Sequence, residues 1–502
     1  MKKLKEVEAD RRAYHKDPTI NTVHRSSLMV PEMSGTKANI SFLNHFLLKR
    51  NHQNIGCKIS AIDENGNLIE SKLHKIDKPI VYTIPLTGMV DKPVSNYIIE
   101  FFSPDNLFIP FPAAMINHVG KNFINQVHSY NRILNDIFED DTINKNQVRE
   151  ASVDLPLTEN SDTFLLFTTG PIPCKDEFEI EVTTQNRNFV KSYPIDLPRF
   201  ATKKISIEET FNDLPKGEGG IITARQPRQL LFYGRMLCGQ MLRDNSFSAN
   251  HSYYDSSTVE EYWDSNEPSQ RTFPFFPKIF NIVRIYPIMS PSKLSFFIGL
   301  YDTGGSLFHE FNIGNLESPS NNFLDVNVNS LIKKENIDVK DVSTFTVKVK
   351  AESGKMPTRI GHQLVYGMGK LDSSISIALF HPDIFHPENK NSFKWGQMII
   401  GNEYDSFIGI VADPCENPNI VSHECKVIFY SSKGKIAERN WTVKNGSAIK
   451  FELSKEVSEL NNHKYNDPNF VWCTVESEKY GLNFFSVSYN KISNHFSGDH
   501  GF

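Results

Sequence analysis

The chain has 502 residues, with Lys and Arg numbering 54 against 59 Asp and Glu, for a net charge of −5. At roughly 100–200 residues per domain it is too long for a single core, and its charge balance supplies no cationic stripe to neutralise phosphates, so nucleic acid is not an expected partner. Hydrophobic residues make up 39% and aromatics 12%, with 37 Phe, which gives the chain ample material to bury and excludes disorder as its overall state.

Residues 1–16 interleave Lys2, Lys3, Lys5, Arg11 and Arg12 with Glu6, Glu8 and Asp10, so no secretory signal is expected there. A short helix fits 6–15. The apolar runs fall well short of the roughly 20 residues that cross a bilayer, so no membrane span is expected. Cys57, Cys174, Cys238, Cys415, Cys425 and Cys473 are far apart with no CxxC pair, the pattern of reduced core thiols. The expected location is therefore cytoplasmic, with export by another route left open.

A fourfold pattern runs through the rest. Each copy offers a strand-like run, a turn, a second run and two further alternating runs. The turn residues Asp63, Asn186, Asp302 and Ser431 recur at intervals close to the size of a small β-sandwich. The fold class expected is mainly β: tandem antiparallel β-sandwich-like domains, about four related units, with a few short helices. The division is an N-terminal extension over 1–37 and units over 38–157, 158–278, 279–396 and 397–502, arranged as an elongated protein of tandem or paired sandwiches. Asp-Glu-Asn-Gly at 63–66, Asp-Thr-Gly-Gly at 302–305 and Ser-Ser-Lys-Gly at 431–434 carry the glycine that hairpin turns use at positive φ. Phe345, Val347 and Val349 alternate with polar neighbours, which predicts a half-buried strand. Helices are predicted over 121–138, where Ile124, Val127, Leu134 and Phe138 recur near one face, and over 230–242.

The densest polar and aromatic stretch is 250–264, which holds His251, Tyr253, Tyr254, Asp255, Glu261 and Trp263, with Arg225, Arg228 and Arg235 upstream. Rings that stack on sugar faces, beside carboxylates and guanidinium forks, suit a carbohydrate or sugar acid. An aromatic interdomain loop with solvated acids is the plainer reading. His381, Asp383 and His386 are of metal-ligand type, zinc in particular, but prolines make the segment an irregular loop with no fixed ligand face.

His128, His251 and His362 end the first three copies, the C-terminal tail adds His495 and His500, and four equivalent histidines on one axis would form a site. The fourth copy, ending Val487-Ser488-Tyr489-Asn490, has Ser488 where His is expected. No Gly-x-Ser-x-Gly elbow, activated cysteine or phosphate cradle is present, so no cofactor is expected and the balance leans away from an enzyme. The functional expectation is a non-catalytic protein acting by binding or assembly, with a carbohydrate or sugar acid as ligand. An enzyme using 250–264 on a sugar is the first alternative, and a structural homo-oligomer is the second.

Overall fold

The computed structural model describes residues 25–502 except 104–111, 129–130, 134–147, 154–160, 171–172, 216–218, 228–231, 235, 255–261, 286–289, 291, 318–322, 358–359, 382–390 and 461–467. The chain is mainly β, and its ladders are antiparallel throughout the paired strands. Eight strands recur in four sets spanning 25–128, 148–251, 269–378 and 392–500. In the first set they are Arg25–Pro31, Lys37–Leu43, Ile55–Ile62, Leu68–Ile76, Val81–Pro85, Asn96–Phe102, Met115–Val119 and Ile124–His128.

Counted in chain order, the strands of every set form two sheets. One runs first–sixth–third–fourth and the other fifth–second–seventh–eighth. Set two adds the two-residue strand Tyr253–Tyr254 to its first sheet, and two small ribbons lie outside the sets, Asn131–Ile133 with Phe232–Gly234 and Tyr262–Asp264 with Lys355–Pro357.

The period-two reading holds in the second half of the strand Thr344–Ala351: Phe345, Val347 and Val349 are each 0% exposed and Lys350 faces solvent, but Thr344 and Thr346 are buried as well. The third and fourth strands of each set form a hairpin closed by a short turn. Gly66 and Gly305 sit there at φ 77° and 81°. A Cβ at either would lie about 2 Å from a backbone oxygen of the following set, Arg199 O or Asn445 O, so these turns need glycine both for their backbone angle and for a seam.

Two helix predictions fail. Residues 121–138 contain the strands Ile124–His128 and Asn131–Ile133, and 230–242 contains Phe232–Gly234 and Leu237–Leu242. For the first of them the cause is burial on both faces. All five residues of Ile124–His128 are buried, which erases the alternation that marks a strand and leaves spacings that mimic a helix. The segment 6–15 lies outside the described residues.

The elongated arrangement is also corrected, because the sets close on one another. Set one shares a core with Phe164, Leu166, Leu237 and Phe247 of set two and with Trp395, Ile428, Tyr430 and Trp472 of set four. Set three packs with Phe407, Val411, Phe485, Val487 and Phe496 of set four. At three seams the first–sixth side of one set meets the sheet holding the second, fifth and seventh strands of the next. Thr202 Oγ1 donates to Asn96 Oδ1 at 2.7 Å, Thr272 Oγ1 to Asp413 Oδ1 at 2.8 Å, and Trp472 Nε1 to Ser41 Oγ at 2.9 Å. A seam of one kind repeated head to tail forms a ring when the rotation closes. Here sets two and three meet through their eighth strands, and the ring closes between the last set and the first.

Candidate functional site

The four eighth strands meet at the centre of this ring. Ile124–His128 packs beside Phe247–His251 and Phe496–His500, and Ser373–Ala378 packs beside the same two. Strand edges placed in the interior need partners for their polar groups, and side chains of the neighbouring sets supply them. Ala249 N donates to Asn125 Oδ1 at 2.7 Å, and Ser376 Oγ to the His251 carbonyl at 2.8 Å. Asn250 Nδ2 donates to the Ser374 carbonyl, and Gln126 N to Ser497 Oγ at 2.8 Å.

At one end of the axis lies a cavity of about 340 Å³ lined by the turns between seventh and eighth strands of all four sets. Lys121, Asn122 and Phe123 come from set one, Asp244, Asn245 and Ser246 from set two, Lys370 from set three, and Ser493 and His495 from set four. Asp244 Oδ1 accepts from Ser246 N at 3.0 Å. The Ser246 hydroxyl bonded to it is the first cause that holds the Asp244 carboxyl below its ordinary value. Ser493 Oγ donates to the Asn122 carbonyl at 2.7 Å, linking the turns of sets four and one. His495 closes the floor, its Nε2 at 2.6 Å from the Phe247 carbonyl. The cavity has the size of a small-molecule site, with amide, hydroxyl and carboxylate groups and two lysines at its rim.

At the other end of the strands three imidazoles gather. The ring of His128 lies 4.7 Å from that of His251 and 4.6 Å from that of His500. Asp499 Oδ2 accepts from His128 N at 2.9 Å and faces His128 Nδ1 at 2.8 Å, and Asp499 Oδ1 accepts from His500 N at 2.8 Å. Burial, then the neighbouring His128, brings the His500 imidazole down to about 3, so it is neutral at physiological pH.

Of the residues that sequence grouped, the structure places Arg225 in the same sheet as Tyr253 and Tyr254, two strands away, and His251 and Trp263 on other elements. His251 is buried at the axis. Tyr253 and Tyr254 pair with Ala151 and Glu150 at the edge of a sheet. Arg225, on Gly220–Gln226, is ion-paired with Glu179 at 2.9 Å. Trp263 pairs with Met356 and stacks on His381, centroids 5.8 Å apart and planes at 11°, so it joins a residue of the other predicted site. Arg228, Arg235, Asp255, Glu261, Asp383 and His386 lie outside the described residues.

His362 is not an axial residue. It lies on the seventh strand of its set, Gly361–Gly367, 5.2 Å from the ring of Phe273. Likewise Ser488 lies on a seventh strand, Leu482–Asn490, and the fourth set's counterpart of His128 is His500. The signal that locates it is an apolar residue four positions ahead of the histidine: Ile124 and His128, Phe247 and His251, Phe496 and His500.

No known protein family matches the chain, nor does any curated protein. Among solved structures the chain is similar to the chicken CNTN1 FN1-FN3 domains, at 9% identity, over 70% of this chain and 98% of that one, with a TM-score of 0.11. A likeness of that degree carries no argument. Among the described residues no helix is long and apolar enough to cross a membrane.

Proposed function

We propose that the protein is a non-catalytic binding scaffold. In this reading four duplicated sandwich-like units, each an eight-strand set, form a ring that takes a carbohydrate or sugar acid in its axial cavity. The observation that carries the reading is the lining of that cavity, where every set contributes a turn and Phe123 stands among Asn122, Asp244, Asn245 and Ser493. Amides and carboxylates pair with sugar hydroxyls, an aromatic ring packs on an apolar sugar face, and Lys121 and Lys370 suit the carboxylate of a sugar acid. The site is thereby moved from 250–264 to the axis. The test is a glycan array followed by calorimetric titration of the best binder. Asp244→Asn and Lys370→Ala are each expected to weaken binding by about tenfold or more with the fold intact, the loss that follows from removing one charged partner of a ligand hydrogen bond. An array with no binder, or affinities unchanged in both variants, would remove the reading.

A second reading, self-assembly, rests on a different observation. The fourth strand of each set is the edge of its sheet, and three of these edges present large apolar side chains: Leu68 and Leu73, Val190, and Leu307 with Phe308. Leu307–Leu316 carries neither Lys nor Pro, the residues that usually protect an edge from pairing with another chain. A second copy of this chain would pair there. Light scattering is expected to give a dimer or larger species that Phe308→Lys reduces to monomer. A strict monomer across concentrations removes this reading and leaves the first untouched.

A further inference from the structure

We propose that His128, Asp499 and His500 form a binding site for a divalent transition metal of the zinc class, which ties the first set of strands to the last. One ligand atom from each of these three residues lies within 4.8 Å of the others. Two imidazoles and a carboxylate are the donor set that zinc accepts, in contrast to the all-oxygen sets of calcium and magnesium. The site is independent of the axial cavity and of any sugar bound there.

The hydrogen bonds around the cluster carry the argument further. A ligating imidazole commonly commits its other nitrogen to a carboxylate or a backbone carbonyl, which fixes both tautomer and ring orientation. The carbonyl arrangement occurs here. His500 Nδ1 lies 2.8 Å from the Gly501 carbonyl, so that nitrogen carries the proton and Nε2 keeps its lone pair. His128 Nδ1 lies 2.8 Å from Asp499 Oδ2, close enough for one ion to take the place of the proton between them, so that nitrogen and that oxygen are the ligand atoms these two residues offer. Asp499, itself 1% exposed, also receives the backbone N–H groups of both histidines. The triad is thus positioned before any metal arrives, and little ordering entropy opposes binding. Phe502 packs at 5.6 Å from His128, and His251 brings a third imidazole to the side of the cluster. The chemistry asked of the metal is structural, since it bridges residues far apart in the chain and needs no reacting ligand.

Untagged full-length protein, stripped with chelator and dialysed, is to be titrated with Zn²⁺ and, separately, with Co²⁺. One equivalent of Zn²⁺ per chain, a rise in melting temperature that chelator reverses, and a visible Co²⁺ ligand-field band are expected. His500→Gln and His128→Asn should each weaken Zn²⁺ binding by about tenfold or more, whereas His309→Ala, on a distant strand, should leave it unchanged. Failure of the wild-type chain to take up either metal would overturn the proposal, and so would full retention of the metal by a folded His500→Gln chain. The Co²⁺ band reports imidazole coordination in the wild type, so the test stands even where a variant fails to fold.

Discussion

Acidification from pH 7 to pH 5 is expected to lower the urea midpoint of unfolding steeply, because four imidazoles are buried neutral away from the axial histidine cluster. Burial is the first cause at each. It brings His45 and His362 down to about 3, and His118 and His495 to about 4. Nearby positive groups act in the same direction, namely Lys49 and Arg50 at His45, Arg271 at His362 and Lys370 at His495, with Asp244 opposing at the last. Three of the rings face a backbone carbonyl: His45 that of Leu43, His118 that of Pro31 and His495 that of Phe247.

The unfolded chain protonates such histidines near their ordinary value while the fold does not. Their contribution is therefore present above about pH 6.5 and is lost as pH falls toward 3–4. Each adds a slope of about 1.4 kcal/mol per pH unit inside that window, and four such slopes exceed the net stability of most domains within about two to three units. Glu32, Glu208, Asp372, Asp413 and Glu416, raised by their own burial, work in the opposite sense and soften the loss. His362→Phe is the discriminating variant. It keeps the contact with Phe273, leaves no ring nitrogen to protonate, and should flatten the slope by about 1.4 kcal/mol per unit. A midpoint that stays level between pH 7 and pH 5 would show that these rings titrate normally.

The contrast between what sequence shows and what it hides is clearest at the axis. Gly66, Gly305 and Gly434 were legible because a hairpin turn imposes its residue choice locally, whatever surrounds it. His128 and His251 were legible as recurring endings, and the convergence they suggested is real for the first, second and fourth sets. The fourth was misread because the seventh strand, Leu482–Asn490, resembles the ending of the first copy closely enough to hide the true eighth strand, Phe496–His500. The axial cavity could not be read at all. Lys121, Asp244, Lys370 and Ser493 are ordinary turn residues singly, and only the closure of the ring brings them to one rim. Closure itself leaves no repeated mark, since each seam solves the same packing problem with different residues: Asn96 with Thr202, Thr272 with Asp413, Trp472 with Ser41.

That last seam is where a single truncation should have the greatest effect. Trp472 is the largest fully buried side chain among the described residues. It lies on the sixth strand of set four, Asn469–Ser477, within the core of set one, and stacks on Phe502 with planes at 11°. Replacing it with Ala removes an indole from a packed core, a loss of about 3–5 kcal/mol, and leaves Ser41 without its donor. The consequence goes beyond that energy because of where the residue sits. Sets one and two, two and three, and three and four follow one another along the chain, so each of those seams is reinforced by a tether. Sets four and one have none. Their seam joins residues 431 positions apart and is held by non-covalent contacts alone. Weakening it should turn one cooperative melting transition into two, with set one released first. Trp472→Phe, which loses the hydrogen bond but keeps a ring, should cost about 1–2 kcal/mol and retain a single transition. Calorimetry that gives Trp472→Ala one transition at the wild-type temperature would mean that the ring is held elsewhere.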